Sequence, residues 1–116
     1  FYPRQAAGYM QRLRFTQNVA AVTGACLLAP RAAFEAVGGF DEGFVLAFND
    51  VDLCLQILAA GYRVVWTPDA ELYHLESKTR GPEDTDEKQK RFRREYDLFH
   101  LKWGAFLKAG DPYYSP

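Results

Sequence analysis

The feature that most constrains the fold is a helical pattern of apolar residues between Asp50 and Ala60. Apolar side chains follow the spacing i, i+3, i+4, i+7, at Val51, Cys54, Leu55 and Leu58. Gly61 stands directly after the last turn, where helices commonly end. The pattern predicts an amphipathic helix that buries one face and carries two acids, Asp50 and Asp52, at its start.

The segments before this helix are shorter and less regular. The apolar run Val19–Pro30 predicts a buried strand that is interrupted at Gly24. A short helix is predicted from Pro30, with Phe34 and Val37 on one face and the pair Gly38 and Gly39 at its end. The sequence "FDEGF" then predicts a turn, and "VLAF" predicts a short extended piece before the helix.

After the helix, "YRVVWTP" predicts a strand that ends at Pro68, and "AELYHL" predicts another. The polar stretch "ESKTRGPEDTDE" predicts a solvated loop. A long helix is predicted over residues 85–108, with an aromatic stripe at helical spacing formed by Phe92, Tyr96, Phe99, Trp103 and Phe106. The order strand, helix, helix, strand, strand, helix indicates an α/β layer. Three or four strands make a small sheet, so we expect the 116-residue chain to be part of a longer protein.

Charge and cysteine spacing exclude several classes of protein. With 14 basic and 15 acidic residues, the chain has no overall field to attract nucleic acid. No apolar run approaches the roughly 18 residues of a transmembrane helix. Cys26 and Cys54 lie far apart and lack the spacing of a zinc site, so both are expected to be free, buried thiols in a reducing compartment.

The acids at the predicted helix start differ in how well local physics explains them. Asn49 is a good N-cap, and Asp52 at the third helical position can fold back as in a capping box. Asp50 lies about 200° around the helix from Asp52, so the two carboxylates do not converge on one metal or one proton. Asp50 is therefore either a plain helix-end acid or a general base that projects from the helix mouth.

The continuous stretch from Thr23 to Gly81 resembles the C-terminal half of family 2 glycosyltransferases with the GT-A fold. The resemblance rests on the order and spacing of "TGA", "GGFDEGF", "NDVDLC" and "GYRV", followed by an aromatic-His strand end. It implies a partial GT-A fold, an α/β fragment with a small mixed sheet packed by helices. Residues 1–116 would be the C-terminal part of the domain, with the donor-binding N-terminal half absent and residues 82–116 forming a C-terminal helix and tail.

The resemblance implies an inverting transfer of a sugar from a nucleotide diphosphate sugar to an acceptor hydroxyl. The second acid of the pair before "VDLC" is the general base in the family, and here it is Asp50. The first acid of that pair is usually Glu, whereas this chain has Asn49. No Asp-x-Asp motif precedes Thr23, and "DVD" at residues 50–52 is not assigned the metal role.

Further site residues follow from the same resemblance. His74 would contact a divalent metal, Mn²⁺ or Mg²⁺, or the donor diphosphate, unless it is an ordinary strand histidine with its hydrogen bonds satisfied. Lys78 and Arg80 would neutralise the diphosphate, unless their loop is simply solvated. Small residues would let the sugar approach the backbone at Thr23, Gly24 and Ala25. Asp41 and Glu42 would meet acceptor hydroxyls, unless turn formation alone explains them. Trp66 and Trp103 are expected to pack in the core rather than stack on sugar.

The implied partners are the nucleotide diphosphate sugar donor, a glycan or lipid-linked acceptor, and the N-terminal half of the same protein, without nucleic acid. The isolated chain is expected to be inactive, and the whole protein to act in the cytoplasm in the synthesis of cell-surface polysaccharide. For the basic and aromatic long helix, packing of the stripe on its own sheet is favoured, and contact with the inner face of the membrane is the alternative. One alternative is a non-catalytic sugar-binding or assembly module of the same ancestry. A weaker one is a metal-dependent hydrolase that uses Asp50, Asp52 and His74.

Overall fold

A computed structural model describes residues 14–45, 47–70 and 86–113. Its regular elements are strands β1 (Gln17–Val19) and β2 (Val64–Trp66) and helices α1 (Arg31–Ala36), α2 (Asn49–Ala59) and α3 (Asp86–Ala109), with a short 3₁₀ turn at Gly24–Cys26. The predicted strand at residues 70–75 and the solvated loop after it fall almost wholly outside the described residues.

The described strands form a two-stranded antiparallel sheet, in which Gln17 pairs with Trp66 and Val19 with Val64. The prediction of β2 is confirmed, whereas the mixed sheet is not what these residues form. The predicted strand over Val19–Pro30 is wrong beyond its first residue, because the chain turns at Gly24–Cys26 and this turn is exposed. The backbone N–H groups of the turn donate to Asp50 and Thr23, so they need no partner strand.

Helix α1 begins after Pro30 and ends at the glycine pair, as predicted. The N–H of Gly38 donates to Glu35 and that of Gly39 to Phe34, and both glycines have positive φ. A side chain at Gly39 would also lie 3.1 Å from the ring of Phe34. Glycine therefore serves both the helix end and the packing of α1.

Helix α2 lies between two apolar clusters. On one side Leu53, Cys54, Ile57 and Val64 form a buried cluster, which residues from β1, α1 and the connecting segment complete. On the other side Leu55 packs with Phe44 and with Phe99 of α3. The predicted helix is confirmed with a shift of one residue, and it ends before Gly61, which has a φ of 95°. The expectation of a single buried face is wrong, since Leu53 and Ile57 are buried as well. Because both sides of α2 are covered, it is the central element of the described fold.

Helix α3 is confirmed over 24 residues, with non-helical backbone angles at Trp103. Its aromatic stripe is divided: Phe99 is buried, Trp103 and Phe106 pack against the second cluster, and Phe92 and Tyr96 remain 46% and 42% exposed. Phe48, just before α2, lies against Phe92 and Tyr96 and stacks on Phe99 at 5.0 Å between ring centres. No described helix is both long and apolar enough to cross a bilayer.

The cysteines are both free, but only Cys54 is buried, so the prediction of a buried Cys26 is wrong. The Sγ of Cys54 accepts the N–H of Val22 at 3.5 Å and lies 3.8 Å from its carbonyl oxygen, to which the thiol can donate. Burial raises the pKa of Cys54, and the nearby Asp50 carboxylate acts in the same direction against the Val22 N–H. A protonated thiol therefore attaches the segment before the 3₁₀ turn to α2.

Asp52 does not cap α2. Its carboxylate is fully buried and accepts hydrogen bonds from Trp103 Nε1 at 2.7 Å, Gln56 Nε2 at 2.6 Å and Lys102 Nζ at 2.9 Å. The predicted N-cap role of Asn49 is also wrong, since Asn49 is the first helical residue and Phe48 is the cap, without a side-chain bond. Asp52 thus joins α2 to α3 through Trp103 and Lys102. These donors offset the cost of burying its carboxylate.

Replacing Trp103 by Phe should destabilise the protein by about 1–3 kcal/mol, because the buried Asp52 loses an N–H donor that water cannot replace. Urea denaturation followed by circular dichroism measures the change. Trp66→Phe is the matched control, since it removes the same atoms from a half-buried Trp in β2. An equal loss of stability in both variants would show that ring volume, rather than the bond to Asp52, decides the effect.

Candidate functional site

The candidate site lies where the 3₁₀ turn meets the start of α2. Asp50 is in the first turn of α2 and half-buried. One carboxylate oxygen accepts the backbone N–H of Gly24 at 2.9 Å, and the other accepts that of Val51, also at 2.9 Å. Two backbone donors, one of them 26 residues away in the sequence, thus fix the orientation of this carboxylate.

Gly24 meets Asp50 closely. A Cβ added at Gly24 would lie 3.2 Å from the Cβ of Asp50, closer than ordinary contact. Thr23 caps the 3₁₀ turn by accepting the N–H of Ala25 at 3.2 Å, and all three residues are exposed. The structure therefore brings the predicted Thr23–Gly24–Ala25 segment directly to Asp50.

The chain enters α2 through an unusual conformation. Phe48 has a φ of 64° in the left-handed region, although it is not glycine. Its ring packing on α3 compensates for this strained backbone. The amide oxygen of Asn49 then accepts the N–H of Asp50 at 2.8 Å. Asn49 thereby satisfies one free N–H of the first turn and lies beside the candidate base.

The predicted acceptor residues, Asp41 and Glu42, lie in the turn before α2. Asp41 accepts the N–H of Gly43 and the ammonium of Lys102, both at 2.9 Å, while Glu42 is exposed. The hydrogen bond from Lys102 lowers the pKa of Asp41, and the Gly43 N–H adds to this against the opposing effect of burial. Contact of either acid with acceptor hydroxyls stays a prediction.

Lys102 joins Asp41 to the buried Asp52. Burial of its ammonium works toward a lower pKa, but the hydrogen bonds to the two carboxylates outweigh this, so the pKa of Lys102 is raised. The same ammonium lies 5.8 Å from the ring centres of Phe44 and Trp103. A single cation thus connects the turn, α2 and α3.

The described residues do not fit a metal site. They contain no group of three or more His, Cys, Asp or Glu side chains placed to hold an ion. Asp50 and Asp52 turn to different partners, as their helical spacing predicts. His74, Lys78 and Arg80 fall outside the described residues, so the predicted metal and diphosphate contacts stay predictions. The hydrolase alternative lacks converging carboxylates.

A cavity of about 730 Å³ opens beside the first half of α3, and the described residues that line it are Asp86, Gln89, Lys90, Phe92, Arg93 and Tyr96. Two cations, one carboxylate and two aromatic rings thus share one concave surface. Because Phe48 packs on both of these rings, the cavity lies close to the approach to α2. It is a concave surface of suitable chemistry for a charged ligand with a flat or apolar part.

Two residues of the site were not found from the sequence. Lys102 occurs among many charges of a helix, and its acidic partners are 50 or more positions away. Glu95 is equally inconspicuous, yet it is 4% exposed and accepts backbone N–H groups of the segment before α2. The one local signal is that Glu95 lies three residues after Phe92 and four before Phe99, on the face of α3 that carries the aromatic stripe.

Asp41→Asn should cost less than about 1 kcal/mol of stability at neutral pH, since the pair with Lys102 is partly exposed. The lowered pKa means that the Asp41 contribution is present above its ordinary pKa of 3.8 and is lost as the pH falls through the lower, folded-state value. Urea denaturation at pH 7, 5 and 3 should show the two proteins converging in acid. Asp69→Asn, at an exposed acid, is the control. A difference for Asp41→Asn that persists unchanged at low pH would contradict this assignment.

Comparison with known proteins identifies the family to which the chain belongs. Residues 2–97 match the family model described as "Glycosyltransferase like family 2". The chain is 54% identical over 116 residues to the uncharacterized protein y4gI of Sinorhizobium fredii (strain NBRC 101917 / NGR234), covering 99% of this chain and 13% of that protein. It is 39% identical over 103 residues to the O-antigen biosynthesis protein RfbC of Myxococcus xanthus, covering 88% and 8%.

A third relative is the N-acetylglucosaminyl-diphospho-decaprenol L-rhamnosyltransferase of Mycobacterium tuberculosis, 38% identical over 85 residues, covering 70% of this chain and 28% of that protein. The chain thus spans between 8% and 28% of the length of the relatives whose names describe a function. No solved structure matches it significantly. On the evidence of the family model and these relatives, the chain belongs to the glycosyltransferase family 2-like proteins.

Proposed function

We propose that the chain supplies the acceptor side of an inverting glycosyltransferase, in which Asp50 is the general base. The observation that carries this proposal is the carboxylate of Asp50, fixed at the start of α2 by the N–H of Gly24. In this proposal the chain folds as the C-terminal part of a GT-A domain. A sugar-transferring role in polysaccharide synthesis is supported by the names of the O-antigen and rhamnosyltransferase relatives.

The reaction requires a base because the acceptor hydroxyl loses its proton as it attacks. The new bond forms between the acceptor oxygen and the anomeric carbon, and the bond from that carbon to the donor diphosphate breaks on the opposite face. The proton passes to Asp50. Each oxygen of Asp50 accepts one described backbone N–H, and a carboxylate oxygen can accept two hydrogen bonds, so capacity for the hydroxyl proton remains.

The residues around Asp50 would shape the sugar position. The exposed Thr23, Gly24 and Ala25 present backbone and small side chains next to the base, where a sugar ring can approach closely. Asn49 occupies the position of the usual first acid, and its amide nitrogen is a candidate hydrogen-bond donor to substrate. The name of the Mycobacterium relative makes a nucleotide diphosphate rhamnose the first donor to test.

The acceptor and the metal belong to the same proposal. A glycan or lipid-linked diphosphate acceptor would suit a cavity that carries Lys90 and Arg93 beside Phe92 and Tyr96, because cations contact phosphate and rings contact the apolar part. Such an acceptor would place the whole protein at the inner face of the membrane. A divalent metal at the donor diphosphate is proposed for the whole protein, through His74 and residues of the donor-binding half.

Asp50→Asn in the whole protein should lower kcat by about 10²–10⁴-fold, the usual contribution of a general base. The amide oxygen can still accept the Gly24 N–H, but the amide nitrogen then faces the Val51 N–H, so a stability loss of about 1 kcal/mol is expected and turnover is normalised to the folded fraction. Nucleotide release is measured with a panel of nucleotide sugars, with and without Mn²⁺. Asp97→Asn, an exposed acid on α3, should retain full turnover. Unchanged turnover in Asp50→Asn would exclude the base role and favour the non-catalytic sugar-binding or assembly module.

Gly24→Ala should reduce kcat about tenfold or more, because the added methyl group displaces the base by a fraction of an ångström and misplacement of reacting groups is costly. The same assay, together with the thermal midpoint, measures the effect. Gly104→Ala on α3 is the control, since its added Cβ meets nothing within 4 Å. Full activity of Gly24→Ala would show that the contact with Asp50 is irrelevant to turnover.

A further inference from the structure

Glu95 is a buried acid that the reaction described above does not use. It lies in the middle of α3 and is 4% exposed. One carboxylate oxygen accepts the backbone N–H of Val45, and the other accepts that of Ala47 at 3.1 Å. An ionised carboxylate without water is strongly unfavourable unless donors satisfy both oxygens, so these bonds are a condition of its burial.

The backbone that Glu95 holds is the direct approach to α2. Val45 and Ala47 belong to neither a strand nor a helix, so Glu95 provides partners that regular structure would otherwise supply. Phe48 follows in its left-handed conformation, and its ring stacks on Phe99, one helical turn after Glu95. Helix α3 therefore holds both the backbone and the ring of this approach.

The consequence for Asp50 follows from chain geometry. Asp50 is three residues after Ala47, and its carboxylate must meet the N–H of Gly24 on a separate segment. A shift of the approach would change where α2 starts and which direction its first turn presents. Asp52 restrains the same turn, but only on the side that faces Trp103 and Lys102. The contact between Asp50 and Gly24 thus depends on the position of Val45, Ala47 and Phe48.

We infer that Glu95 is a positioning residue for Asp50: by holding the N–H groups of Val45 and Ala47 it sets the start of α2 and keeps the Asp50 carboxylate on Gly24. The inference rests on the proposed role of Asp50 as the base. In this role Glu95 acts through the backbone of the approach to α2 and not on the substrate.

Glu95→Gln is the sharpest variant because it preserves shape and changes only hydrogen-bonding chemistry. The amide has one acceptor oxygen, and its NH₂ group would face the N–H of Val45 or Ala47, donor against donor. In the whole protein we expect kcat to fall by about ten- to a hundredfold while the KM for the donor stays within about twofold. Glu87→Gln, an exposed acid on the same helix, should leave both constants unchanged.

A double-mutant cycle separates positioning from general stability. If Glu95 acts through the base, adding Glu95→Gln to Asp50→Asn should lower kcat no further, whereas an unrelated structural role would multiply the two losses. Turnover is normalised to the folded fraction for each variant. Full turnover of Asp50→Asn would overturn the proposed function itself. A normal kcat in Glu95→Gln, or multiplied losses, would overturn only the positioning role.

Hydrogen–deuterium exchange gives a readout independent of activity. In Glu95→Gln, exchange should accelerate in peptides that contain residues 45–50 and also in the peptide that contains Gly24, whose amide bonds to Asp50 and not to Glu95. Glu87→Gln should change neither peptide. If Glu95→Gln fails to fold, Glu95→Asp shortens the same carboxylate and is measured in its place. Unaltered exchange at Gly24 in a folded Glu95 variant would contradict the inference.

Discussion

The described structure depends on helix α2 being held from two sides at once. Leu53 and Ile57 face the cluster shared with the two strands and α1, while Leu55 faces α3. Each fully buried side chain of this size contributes about 1.5–3 kcal/mol, so neither side can be lost cheaply. Packing on both sides opposes large movements of the helix and keeps its first turn, with Asp50, next to the 3₁₀ turn.

Buried acids complete what apolar packing leaves undetermined. Apolar contacts resist separation of α2 from α3 but tolerate small shifts, whereas hydrogen bonds fix distance and direction. Asp52 on α2 takes donors from α3, and Glu95 on α3 takes donors from the approach to α2. Asp52 thus reaches from α2 to α3, and Glu95 reaches from α3 to the segment that leads into α2. Together they set the relative position of the helices with a precision that the aromatic stripe alone does not provide.

Periodicity and glycine positions predicted all three helices and β2, because those signals are local. The apolar run after Val19 was misread, since its backbone partners, Asp50 for Gly24 and Cys54 for Val22, are 26 and 32 residues away. Asn49 was predicted as the cap because asparagine is common at that position. The helix instead begins one residue earlier, after Phe48, whose left-handed conformation is held by ring packing against α3 and has no local sequence signal. Glu95 and Lys102 were missed for the same reason: in a helix rich in charges, only the partner identifies the residue that matters. The resemblance to a known family, rather than spacing, singled out Asp50.

Asn49, in place of the usual Glu, changes the charge beside Asp50 more than it changes the hydrogen bonding there. The oxygen of Asn49 accepts the N–H of Asp50, and a glutamate oxygen at this position could make the same bond. Unlike the usual Glu, Asn49 adds no negative charge next to the proposed base. Asp50 is therefore oriented by neutral backbone donors, Gly24 and Val51, which fix its direction without adding another carboxylate. In this arrangement the orientation of the proposed base depends on Gly24, which is remote in sequence, and we expect changes on α3 to act on the site through the approach to α2.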